Sequence, residues 1–197
     1  MKVAPAARCA SATKDNPMIY TVECSFADPT CEAEWNHFYS LEKLPALVSV
    51  SGFHTSQRFK ATSDGCPAYL AVHTIDSLDV LTGDEYRRKG GGNFARWQQH
   101  ITDWHRNLYS DIGVAPAVNA DELLALCASG ADSLIRMGLD LLAMQAVALE
   151  KFPERRWLAK LPLSDARRFE GIEGVHLYAP MTQQLTSART ASTAQER

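Results

Sequence analysis

The chain has 197 residues, 46% hydrophobic and 22% charged, with a formal net charge of -3, which suits one sizeable globular domain or two small ones. That balance gives no general reason to bind a polyanion. The basic runs Arg87-Arg88-Lys89 and Arg155-Arg156 are too short for a nucleic-acid footprint and read as solvated faces. No apolar stretch approaches the roughly 20 residues that span a bilayer, so no membrane partner is expected. The five cysteines are scattered, without a CxxC pair, which excludes a disulfide framework and the spacing of a zinc site and implies a reducing compartment.

Residues 1–17 contain Ala, Ser and Pro but no apolar h-region. They are read as a disordered tail of a cytoplasmic protein. Met18 to Phe26 (MIYTVECSF) mixes β-branched and aromatic residues and stops at Asp28-Pro29, a strand and a turn. Asp28 or Thr30 is expected to cap the next segment. From Cys31 to Val50, Trp35, Phe38, Tyr39, Leu41, Leu44, Leu47 and Val48 recur at helical spacing, with Pro45 bending or ending the first part. Phe53 to Ala61 and Ala68 to Ile75 flank Ser63-Asp64-Gly65 as a hairpin. Ser77 or Asp79 opens a second helical stretch, interrupted at Gly90-Gly91-Gly92. This triplet lacks the lysine-serine/threonine pair of a phosphate loop and is read as a break. Asp103 to Ile112 is a last strand. The order βαββαβ folds into a four-stranded antiparallel sheet with both helices on one face.

The second half shows a degenerate echo of the first. Trp35 to Gly52 and Trp157 to Gly174 are equally spaced, offset by 157 − 35 = 122. At that offset Ile19 to Phe26 falls on Leu141 to Ala148, and His54 on His176. The expected organisation is therefore an α+β chain: a ferredoxin-like unit over 18–113, then a linking helix (Asp121 to Ala128) and a partial second repeat over 114–185. In that repeat the segment led by Trp157 would be a helix. A polar tail is expected over 186–197.

The stretch Glu34-Trp35-Asn36-His37-Phe38-Tyr39-Ser40-Leu41-Glu42-Lys43-Leu44-Pro45, running on to Val50-Ser51-Gly52-Phe53, resembles the helix signature of EthD-like proteins, of the dimeric α+β-barrel superfamily. Asp103-Trp104-His105-Arg106-Asn107-Leu108-Tyr109 is similar to the family's last strand. The resemblance implies a barrel, a homodimer and cofactor-independent chemistry. It departs at two positions: the family histidine before Leu-Pro is Lys43 here, and the proline before the glycine is Ser51. Lysine can supply a positive charge, but at its ordinary pKa it is a poor base at neutral pH.

In such a sheet the face away from the helices must be covered by a second subunit or repeat, leaving a cavity between. Alternation places Tyr20, Val22, Cys24 and Phe26 toward the helices and Thr21 and Glu23 toward the cavity. On the third strand Leu70 and Val72 suit the helices, leaving Tyr69, Ala71 and His73 opposite. His105, Asn107 and Tyr109 alternate with Trp104, Arg106 and Leu108, and His54, Ser56 and Arg58 form the polar set of the second strand. Glu23, His73 and His105 are thus the candidate catalytic residues, since a carboxylate beside an imidazole can move protons near neutral pH. Tyr69, Arg58, Tyr109, His54 and Tyr39 are the candidate substrate-binding residues. No metal or other cofactor is called for. Two classes stay open: a lyase, isomerase or oxygenase acting on an aromatic, polyketide-like or lactone small molecule, or a non-catalytic binding or accessory protein. An enclosed pocket holding Glu23, His73 and His105 favours the first, and a sheet face filled by Leu, Met and Phe the second.

Overall fold

The computed structural model describes residues 16–90, 95–110 and 113–188; the two expected tails fall largely outside them. The first half contains β1 (Met18–Phe26), α1 (Glu32–Phe38), α2 (Leu44–Val48), β2 (Phe53–Ala61), β3 (Tyr69–Ile75), α3 (Leu78–Thr82), α4 (Asp84–Lys89) and β4 (Ile101–Ser110). The second half adds β5 (Glu122–Cys127), α5 (Ala131–Arg136), β6 (Leu142–Leu149), β7 (Arg155–Pro162), a 3-10 segment (Leu163–Arg168), β8 (Val175–Pro180) and the short β9 (Leu185–Thr186). Thr186, expected in the polar tail, belongs to β9, which pairs with β2 through Thr55 and Ser56.

Each half has strand order 4-1-3-2: β4-β1-β3-β2 and β8-β5-β7-β6. The pairs β4–β6 and β2–β8 join the halves edge to edge, so eight antiparallel strands close into one barrel within a single chain. Closure leaves no long unpaired edge in the ring. The face expected to need a cover is thus covered by the chain's own second half, which supplies four strands but little helix.

Two elements differ from the sequence reading. Asp121 to Ala128, expected as a linking helix, holds β5. Its Leu123, Leu124, Ala125, Leu126 and Cys127 are all buried, so both strand faces are apolar and the period-two signal vanishes. The segment led by Trp157 is β7, a strand, whereas Trp35 stands in α1. The true correspondence is topological, β5 to β1 and β7 to β3, and the offset of 122 does not describe it.

Between α1 and α2 the chain makes a π-helical turn, Tyr39–Lys43, and passes through Pro45 without ending. The wider turn absorbs the hydrogen bond that proline cannot donate. It also buries both Tyr39 and Lys43. Asp28 does not cap α1; its Oδ1 accepts from the Thr30 amide and hydroxyl instead.

Three apolar clusters result, one of them formed in the second half by Leu123, Ala159, Phe169 and Leu177 with Leu134 of α5. Tyr20, Val22, Tyr69, Ala71 and Leu108 pack under the helices with Trp35, Leu44 and Leu47. Ile19, Leu70, Val72, Leu124, Met144 and Leu158 fill the barrel interior.

Candidate active site

The residues expected to share one cavity are divided between the two faces of the sheet. Glu23, His105 and Tyr109 point into the barrel, whereas His73, Tyr69 and Arg58 lie under the helices with Tyr39. The assignment of β3 was inverted: Leu70 and Val72 face the interior, and His73 pairs and stacks with Tyr20 on the helix side. All seven residues of β3 are buried, so no solvent-facing set marks which face is which.

Arg58 and Tyr69 form a staple between the sheet and α1. The guanidinium donates to Asn36 O (3.1 Å), Ser40 Oγ (2.9 Å) and Asn36 Oδ1 (2.8 Å), and lies 4.1 Å from the centroid of the Tyr39 ring. Tyr69 donates to Glu32 Oε1 at 2.5 Å and accepts from Asn36 Nδ2 at 2.8 Å. Burial and that carboxylate push its hydroxyl up to about 12. These groups are engaged by each other. His54 is likewise engaged, with Nε2 2.5 Å from Asp76 Oδ1 at the half-exposed start of β2.

Beside the staple, a cavity of about 110 Å³ opens between the helical layer and the sheet, lined by Tyr20, Tyr39, Lys43, His73, Tyr86 and Arg106 among others, with the partly exposed Trp104. His73 is fully buried. Its Nδ1 is 2.7 Å from Ser56 Oγ, and its Nε2 has no hydrogen-bond partner among the described residues. A buried polar atom left so is uncommon in a folded protein. Burial, reinforced by the Lys43 charge, pushes the imidazole down to about 3, so it is neutral at physiological pH. Lys43 donates to the Gly90 carbonyl, and burial lowers its ammonium to about 8. The Tyr20 hydroxyl is raised by burial and by neighbouring Tyr86, and that of Tyr39 by burial against the opposing effect of Arg58.

The pocket thus brings together an amine that titrates near neutrality, a neutral imidazole with an unengaged nitrogen, three phenols and the Arg106 guanidinium. Such perturbed groups in one cleft are what acid–base chemistry requires. The sequence reading set Lys43 aside because its ordinary pKa is too high; burial, which removes that objection, is not visible in the sequence. The four-residue spacing of Tyr39 and Lys43 was the available signal. Arg106 stood on the same alternation as Leu108, a core residue, and Tyr86 was read only as part of a helix.

On the opposite face, Glu23 is paired with Arg156 at 2.6 Å, their side chains 3% and 15% exposed. Burial alone would lower Arg156, but Glu23 overrides it and holds the guanidinium above its ordinary value. Tyr109 is buried nearby, its hydroxyl pushed up to about 12 by burial. His105 sits at the mouth with Nδ1 2.9 Å from Glu150 Oε2. Arg156, which links the two halves, was read only as surface charge. Among the described residues, Asp28, Cys31 and His100 bring ligand atoms within 4.8 Å of one another, close enough for a metal, and none of the three lines the helix-covered cavity.

Two ferredoxin-like halves thus close into one antiparallel α+β barrel, the kind of fold that the resemblance implied. No protein-family model matches the sequence, and no curated protein does. Among solved structures the chain is similar to an anthrone oxidase-like protein (TM-score 0.55, 8% identity, covering 90% of this chain and 96% of that one). It is similar also to a proposed monooxygenase of Lactobacillus acidophilus (TM-score 0.53, 6% identity, 87% and 97% covered). A third is a proposed monooxygenase of Fusobacterium nucleatum (TM-score 0.51, 6% identity, 85% and 94% covered). At these identities the likeness concerns the fold, which hosts many chemistries.

Proposed function

We propose that the protein is a small-molecule enzyme whose own side chains move a proton on a compact, largely apolar, oxygenated substrate. The substrate is of aromatic, polyketide-like or lactone class with its reacting end at the helix-covered pocket, and the reaction is of lyase, isomerase or oxygenase type without a cofactor. The observation that carries this reading is the meeting of Lys43, lowered to about 8, with the unengaged Nε2 of buried His73 in one cavity. Neutral Lys43 takes the proton. His73 hydrogen-bonds a substrate oxygen through Nε2, and Arg106 with the phenols steadies the developing enolate or phenolate. The oxidase and monooxygenase descriptions of similar folds support a chemistry of this kind.

The test is a panel of one-ring phenols, 1,3-diketones and lactones, followed by solvent deuterium exchange at the acidic C–H and by substrate loss. Exchange that disappears in Lys43→Met, with the fold retained, supports the reading. Exchange unchanged by that substitution contradicts it.

A binding or accessory role is the second reading. It is favoured by the barrel interior, which is filled by side chains such as Leu70, Val72, Met144 and Leu158. Compounds that bind this pocket without exchange or turnover would establish it.

A further inference from the structure

The mouth of the barrel holds a second cavity, of about 250 Å³, which the chemistry above does not use. Its lining includes the polar Glu23, Arg156 and His176 and the apolar Leu126, Phe152 and Pro153, with His176 and Leu126 side by side on paired strands. The Glu23–Arg156 pair is buried, and its opposite charges favour neither an anion nor a cation. Of the residues that line it, His176 keeps its Nδ1 buried without a hydrogen-bond partner among the described residues. It shares the cavity lining with the buried Glu23–Arg156 pair and with the apolar Leu126, Phe152 and Pro153. Buried polar atoms are ordinarily satisfied, so an orphaned imidazole nitrogen on a residue that lines a cavity points to a ligand with hydrogen-bonding capacity of its own.

We propose that this mouth is a second small-molecule site that takes a neutral hydroxyl-bearing aromatic, a phenol. The ring lies against Leu126, Phe152 and Pro153, and the hydroxyl reaches His176 Nδ1 and the Glu23 carboxylate. Size agrees: an engineered cavity of about 150 Å³ holds benzene, and this one is larger. The site is independent of the one assigned to proton transfer, because β4 places Trp104 and Arg106 in the helix-covered pocket and His105 in the mouth.

The test titrates the full chain with phenol and with benzene by ligand-observed and ¹⁵N NMR. Phenol should bind with shifts at the mouth, and benzene about tenfold more weakly, the cost of one lost hydrogen bond. His176→Phe should remove that preference, and Ala128→Phe, on an exposed cavity-lining position, should weaken both probes without touching the core. Lys43→Met should leave phenol binding at the mouth unchanged. Equal affinity for the two probes, or phenol binding lost in Lys43→Met but kept in Ala128→Phe, overturns the proposal. The second outcome would place phenol in the helix-covered pocket and leave the proton-transfer reading intact.

Discussion

Lys43 and His73 face one cavity from opposite layers, the lysine from the π-helical turn and the histidine from β3, and the charge of the first helps keep the second neutral. Each is buried in a site that disfavours its protonated form. The fold therefore holds two bases that bind protons less readily than they would in the unfolded chain.

This arrangement has a pH signature. His73 titrates at about 3 in the folded protein, below its ordinary 6.5, so the unfolded chain binds the extra proton between those values. Stability should fall as pH drops from 6.5 toward 3, by up to about 1.4 kcal/mol per unit from this group. For Lys43 the window lies between about 8 and 10.5, where stability should rise with pH for the same reason. Urea unfolding at intervals from pH 7 to 4 checks the first part: the stability loss should be shallower in His73→Leu than in the unsubstituted protein.

Turnover should follow neutral Lys43, rising with pH and levelling above about 8. Lys43→Met should lower the rate by roughly 10² or more, as expected for a lost general base, with circular dichroism unchanged. Rates measured across pH 6 to 10 on the best compound of the panel decide this.

Arg58 should prove structural. Its three hydrogen bonds to α1 and the π-helical turn are buried with it, so Arg58→Met should cost about 2–4 kcal/mol by leaving Asn36 Oδ1 without its donor. Arg58→Lys should not restore it, since the planar fork is lost. Thermal denaturation of both variants is the measurement.

The Glu23–Arg156 pair joins strands of the two halves. Glu23→Leu or Arg156→Leu alone should cost about 3–5 kcal/mol by stranding a buried charge, and the double variant should recover much of that loss. A double-mutant cycle by chemical denaturation reads the coupling.

The first half was largely legible. Met18–Phe26 and Phe53–Ala61 carry β-branched and aromatic residues between clear turn signals, and both are strands with those bounds. Local pattern failed wherever both faces of an element are buried. In β5 a continuous apolar run reads equally well as helix, and in β3 nothing distinguishes the helix side from the barrel side. That single ambiguity placed His73 with Glu23 and His105, whereas the sheet divides them between two cavities. Lys43 stood in the quoted signature, but only three-dimensional burial gives it a usable pKa. Arg156 reaches Glu23 across 133 residues of sequence, a pairing that only closure of the barrel creates.

Whether the helix-covered pocket around Lys43 and His73 is the reactive site is tested most directly by NMR titration of the ¹³Cε resonance of Lys43, assigned by its loss in Lys43→Met. The expected midpoint lies near 8 and moves when a compound from the panel binds. A midpoint at the ordinary lysine value of about 10.4, unmoved by every compound that binds the protein, would contradict that role.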